Sequence, residues 1–136
     1  MEKIKVEVNW CEKNFACVWG YPDFGSIIVT NKTLEGLKKE FQLSLQSQID
    51  DMLADGEDIP QFLASGDFEI EYDLHISAIL RNAEQFTTMA AISRASGINQ
   101  RQLTHYASSL KEPRPAQRER IIAGLHRIGE SFLAIR

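Results

Sequence analysis

The sequence predicts an α+β chain: a βββαβ unit over residues 1–75 followed by an all-α unit over residues 76–136. Three observations carry this. Residues 3–10 and 68–74 alternate apolar with polar side chains at a period of two, the pattern of half-buried strands. Leu34, Leu37, Phe41, Leu45, Ile49, Met52 and Leu53 form one apolar stripe at helical spacing. From Ile76 onward the apolar residues fall at helical spacing, interrupted by turn residues at Gly97 and Pro115.

In the first strand, Ile4, Val6, Val8 and Trp10 share one side and Lys3, Lys5, Glu7 and Asn9 the other. Cys11-Glu12-Lys13-Asn14 is a short polar turn, and Phe15 to Gly20 returns as a second strand. That strand is apolar on both faces, which places it centrally in the sheet. Tyr21-Pro22-Asp23-Phe24-Gly25 is a turn, and Ser26 to Thr30 is a third short strand. Thr33 caps the long helix, which ends at Asp55-Gly56-Glu57-Asp58 with Gly56 as its C-cap. Ile59 to Leu63 is a loop, and Phe68, Ile70, Tyr72 and Leu74 mark the fourth strand. A single helix covers only one face of such a sheet, so the other must be solvated or meet a partner.

In the second half, Ile76, Ile79, Leu80 and Ala83 make a first helix, closed by Phe86. Thr87 to Pro115 then reads as two short helices around a tight turn. Met89, Ile92 and Ala95 are the apolar positions before the turn, and Ile98, Leu103, Tyr106 and Leu110 those after it. Thr88 and Asn99 stand where a side-chain oxygen caps a helix N-terminus, and Gly97 can take the positive φ of a sharp turn. This is the layout of a helix-turn-helix, whose second helix enters the DNA major groove. The last helix begins at Pro115, with a stripe of Ile121, Ile122, Leu125, Ile128, Phe132 and Leu133. Part of that stripe exceeds what a four-helix unit needs. It serves either a dimer seam or packing on the first unit.

The stretch from Ala91 to Arg114 resembles the DNA-binding module of the lambda-repressor/Cro family. The matching residues are Ala91, Ser96-Gly97-Ile98, Leu103, Lys111 and Pro113-Arg114. Two positions depart from the pattern: Ser93 stands where the module usually has Ala, and Met89 where it often has a phosphate-contacting Gln. The first half resembles the N-terminal domain of HicB-type antitoxins, a partial RNase H-like fold. That likeness rests on Gly20-Tyr21-Pro22-Asp23 after a strand, the Thr33-Leu34 helix start, and Asp55-Gly56-Glu57 followed by Ile59-Pro60. Together the resemblances span nearly the whole chain. They imply a type II antitoxin that neutralises a small basic HicA-type RNA-cleaving toxin and represses its own operon as a homodimer or higher homo-oligomer. The alternative is a stand-alone regulator whose first unit senses a ligand or another protein.

Hydrophobic and charged contents of 43% and 25% are those of an ordinary globular protein. Nothing approaches the ~20 uninterrupted apolar residues of a membrane span, and Met1-Glu2-Lys3-Ile4 does not read as a signal peptide, so a cytoplasmic protein is expected. Cys11 and Cys17 lack metal-site spacing and are expected as reduced thiols, a hairpin disulfide being the other arrangement open to them. The net charge of −4 hides a division. Residues 1–75 carry six Lys/Arg against fifteen Asp/Glu, and residues 76–136 nine against four. The basic half suits nucleic acid and the acidic half a cationic partner.

On the second helix of the motif the outward positions are Asn99, Gln100, Arg101, Thr104 and His105. Arg pairs with guanine and Gln or Asn with adenine, so Gln100 and Arg101 are expected at base edges. Thr88, Lys111 and Arg114 complete the expected DNA-contacting set, the last two as phosphate contacts. For a cationic toxin the candidate surface is the acidic cluster Asp50, Asp51, Asp55, Glu57 and Asp58. Glu7, Glu69, Glu71 and Asp73 lie on the polar side of regular alternations, and His75, His105 and His126 are scattered. No catalytic residue, metal site or cofactor is therefore expected, and an Mg²⁺-dependent nuclease is the least favoured class.

Overall fold

A computed structural model describes residues 1–136. The backbone divides into two compact units, Met1–His75 and Ile76–Arg136. The first contains β1 (Glu2–Cys11), β2 (Asn14–Tyr21), β3 (Gly25–Asn31), α1 (Leu34–Ala54), α2 (Gln61–Ser65) and β4 (Phe68–Leu74). The second contains α3 (Ile76–Ala83), α4 (Met89–Ser96), α5 (Gln100–Ala107) and α6 (Pro115–Leu133).

The expected fold class, a βββαβ unit of partial RNase H-like fold followed by an all-α unit, is not what is found. Strands and helices are interleaved, because two helices, α1 and α2, stand between β3 and β4. The result is an α+β chain with one four-stranded sheet and six helices. The sheet is mixed, in the order β3-β2-β1-β4, with β4 parallel to β1 and the other pairings antiparallel. Helix α2 occupies the segment expected as a loop. Its five residues are too few to display a helical period, and its visible signs are Pro60 before its start and Gly66 at φ 74° after its end.

β2 lies between β3 and β1, so both of its edges are paired; Phe15 and Cys17 on one face are buried, while Val18 on the other is exposed. The β1–β2 hairpin closes through Glu12 and Lys13, both at positive φ, which is the backbone of a two-residue hairpin turn whose twist matches the strands. Ile4, Val6, Val8, Phe15, Cys17, Ile27 and Val29 point from the sheet to Leu37, Phe41, Leu45 and Ile49 of α1, and all are buried. Phe24 and Leu63, both from segments expected as irregular, are buried as well. Thr33 caps α1 as expected, its Oγ1 accepting from Gly36 N–H at 3.0 Å. Gly56 follows the cap residue Asp55 at φ 72°. Cys11 is exposed and Cys17 buried, and the two are not bonded.

In the second unit Ile76, Leu80, Ile92, Ile98, Leu103, Tyr106, Ala107 and Ile121 form one core. Two expected members are absent from it. Leu110 lies beyond the end of α5, past Ser109 at φ 64°, and is 67% exposed. Phe86 is 75% exposed. No helix of the chain is long and apolar enough to cross a membrane.

Candidate nucleic-acid interface

The second unit presents one helical pair whose geometry is fixed at its turn. Helix α4 starts at Thr88, whose Oγ1 accepts from Ala91 N–H at 3.1 Å. It stops at Gly97, φ 73°, whose N–H donates to Ser93 O. Helix α5 starts at Asn99, whose Oδ1 accepts from Arg101 N–H at 2.8 Å. Both caps satisfy donors that a helix N-terminus otherwise leaves unpaired.

Ser93 has a structural task in this turn. Its hydroxyl donates to Ile98 O at 2.6 Å, while Ser96 Oγ accepts from Ile98 N–H at 3.2 Å. Two serines thus hold both backbone groups of the first apolar residue after the turn. An alanine at position 93 could not make the first of these ties.

Three arginines brace the pair from outside. Arg120 Nη2 donates to Gly97 O at 2.9 Å, and Arg127 Nη1 to Ala95 O, so two cations of α6 meet the carbonyl end of α4. Arg81 Nε of α3 donates to Ala107 O at 2.9 Å, at the carbonyl end of α5. Cations at helix C-termini satisfy orphan carbonyls and oppose the negative end of the dipole. These roles were not visible in the sequence, because each joins residues more than twenty positions apart. Arg120 in particular reads there as an ordinary solvated helix start.

Helix α6 crosses α4 closely. Gly124 is buried, and a Cβ there would lie 2.9 Å from Ser96 N, Cα and Cβ.

The predicted contact residues divide into groups. Asn99, Gln100, Arg101 and Thr104 are exposed on α5, with Leu103 and Tyr106 turned into the core. Thr104 Oγ1 donates to Gln100 O at 3.0 Å. Arg101, Lys111 and Arg114 are exposed, and no ion pair engages them. His105 is less available than expected: it is half-buried, and its Nδ1 is buried without a hydrogen-bond partner. A depression of about 450 Å³ beside α5 brings together Asn99, Arg101, His105 and Lys111 with Gln117 and Arg120. Gln100, Thr104, Arg114 and Thr88 do not line it. That lining holds three cations and no carboxylate, a surface suited to a polyanion.

In the first unit Asp50, Asp51, Asp55, Glu57 and Asp58 are all exposed at and after the end of α1. Gln46 Nε2 donates to Asp50 Oδ1 at 2.9 Å. Nowhere do three or more His, Cys, Asp or Glu side chains converge as metal ligands would. No family model, curated protein or solved structure matches the chain.

Proposed function

We propose that the second unit binds operator DNA through α5 and that the chain acts as a repressor. The observation that carries this is the conjunction at α4 and α5: a Gly97 turn, two capped helices, and an outward row of Gln100, Arg101 and Thr104 on the second helix. Arg101 has no ion pair to give up on binding. Its guanidinium fits the O6 and N7 acceptors of guanine, and Gln100 fits adenine. Lys111 and Arg114, beyond the helix, take phosphates and set register. Two copies of α5 one helical turn apart, about 34 Å, read a near-palindromic site.

The acidic first unit is assigned to a cationic protein partner. With the resemblance to HicB-type antitoxins, that partner is a small RNA-cleaving toxin, and the acidic run from Asp50 to Asp58 contributes to its electrostatic steering. Excess negative charge confined to residues 1–75 supports this assignment.

Capture of the tagged chain from its native cells, with sequencing of bound DNA and mass spectrometry of bound protein, tests both halves. The expected result is one enriched DNA motif together with a small basic protein that survives a salt wash. Recovery of the motif alone removes the toxin from the account. Recovery of neither removes both.

A further inference from the structure

The sheet of the first unit has two free edges, and they are built differently. On β4, Glu69, Glu71 and Asp73 stand on the open face, with Lys3 at 4.0 Å from Glu69 and 3.9 Å from Glu71. Two copies of β4 paired antiparallel about Glu71 would set Glu71 on Glu71 and Glu69 on Asp73. Like charges directly opposite are destabilising, so this edge resists self-association.

β3 has no such guard. Ser26, Ile27, Ile28, Val29 and Thr30 carry no charge, no proline and no bulge. Every second residue of an edge strand directs its backbone N–H and C=O away from the sheet, and no hydrogen bond meets those of β3 beyond its pairing with β2. On the open face Ile28 is 75% exposed, and its cross-strand neighbour Val18 is 57% exposed. An uncharged β-branched edge with an exposed isoleucine is a template for another strand.

We infer that β3 pairs antiparallel with β3 of a second copy of this chain, about a two-fold axis at Ile28. The sequence is self-complementary in that register: Ile28 meets Ile28, Ile27 meets Val29, and Ser26 meets Thr30. Each pair matches apolar with apolar or hydroxyl with hydroxyl, the combinations that stabilise antiparallel neighbours. Ile28 and Val18 of both copies then form one apolar patch on the open face of a continuous eight-stranded sheet. A two-fold interface uses the same surface on both subunits, which this strand satisfies and β4 does not. The overlying helix is compatible with it. On the β3 side of α1, marked by Gln48 donating to Phe24 O, Leu43 is 72% exposed and shares a shallow depression with Ser44, Ser47 and Asp51, so this flank carries small and apolar side chains and a single carboxylate. The interface is independent of whether α5 reads DNA.

The test is the mass of the full-length chain in solution, by light scattering after gel filtration, for the parent, Ile28→Lys and Ile28→Glu. Because the Ile28 side chain lies outside the core, both variants fold, and circular dichroism checks this. The parent is an even-numbered assembly, each variant alone has half its mass, and mixing the two restores the parental mass, since residue 28 faces residue 28. A monomeric parent, a variant of undiminished mass, or a mixture that does not recover would each overturn the inference.

Discussion

Ser93 shows how one hydroxyl can set the geometry of the turn between two helices. Its bond to Ile98 O fixes the residue that begins the descent into α5, and Ser96 holds the N–H of that same residue. A net contribution of about 0.5–1.5 kcal/mol is expected for such a bond. Ser93→Ala should lower the unfolding free energy by that amount in urea titration, and an unchanged midpoint would deny the hydroxyl its role. In the first unit, burial pushes the Cys17 thiol from its ordinary 9.0 up to about 11, with Val29 backbone hydrogen bonding opposing the rise. Burial likewise raises Tyr72 from 10.0 to about 12, with Cys17 nearby adding to it. Above pH 9 the unfolded chain releases the thiol proton while the folded chain keeps it. The stabilisation is therefore complete below pH 9 and lost as pH rises through about 11. Cys17→Val should flatten the decline in stability between pH 9 and 11, leaving the later fall due to Tyr72; a decline identical to the parent's would contradict this assignment.

At the scale of elements, the caps were legible in the sequence and the braces were not. Thr33, Thr88 and Asn99 each bond a backbone N–H two or three residues away, so residue type and position suffice to find them. Arg81, Arg120 and Arg127 bond carbonyls set by the fold, and no local pattern marks them. Helix α2 is not legible because one turn and a half carries no period, and Leu110 reads as part of α5 because its spacing fits a helix that Ser109 has already ended. The parallel pairing of β4 with β1 follows from the crossover through α1 and α2, which period-two alternation does not encode. Two glycines of α6 offer a comparison in which sign decides. At Gly124 a Cβ meets the backbone of Ser96 at 2.9 Å, whereas at Gly129 nothing lies within 4 Å. Gly129→Ala should stabilise by about 0.5–1 kcal/mol through lost freedom of the unfolded chain. Gly124→Ala should destabilise by about 1–3 kcal/mol, because α6 must move away from α4. Thermal unfolding of the two variants would then shift in opposite directions; a rise for both would show that the α4–α6 crossing is not tight.

Across the whole molecule, the two units differ in charge and in topology. The first unit is strongly acidic and builds an open-faced mixed sheet, with α2 standing beside the expected α1 between β3 and β4. The second unit is basic, and several of its arginines are spent on helix ends, leaving Arg101, Lys111 and Arg114 exposed without ion pairs around α5. Arg101 is therefore the residue on which the DNA-binding account rests. The most direct measurement selects binding sites for the full chain from a random DNA library and compares the affinity of the parent and Arg101→Ala for the winning sequence. The account predicts a defined motif and a loss on the order of 10- to 100-fold, about 1–3 kcal/mol, with the circular dichroism spectrum unchanged. Selection of no motif, or equal affinity for the two proteins, would contradict it.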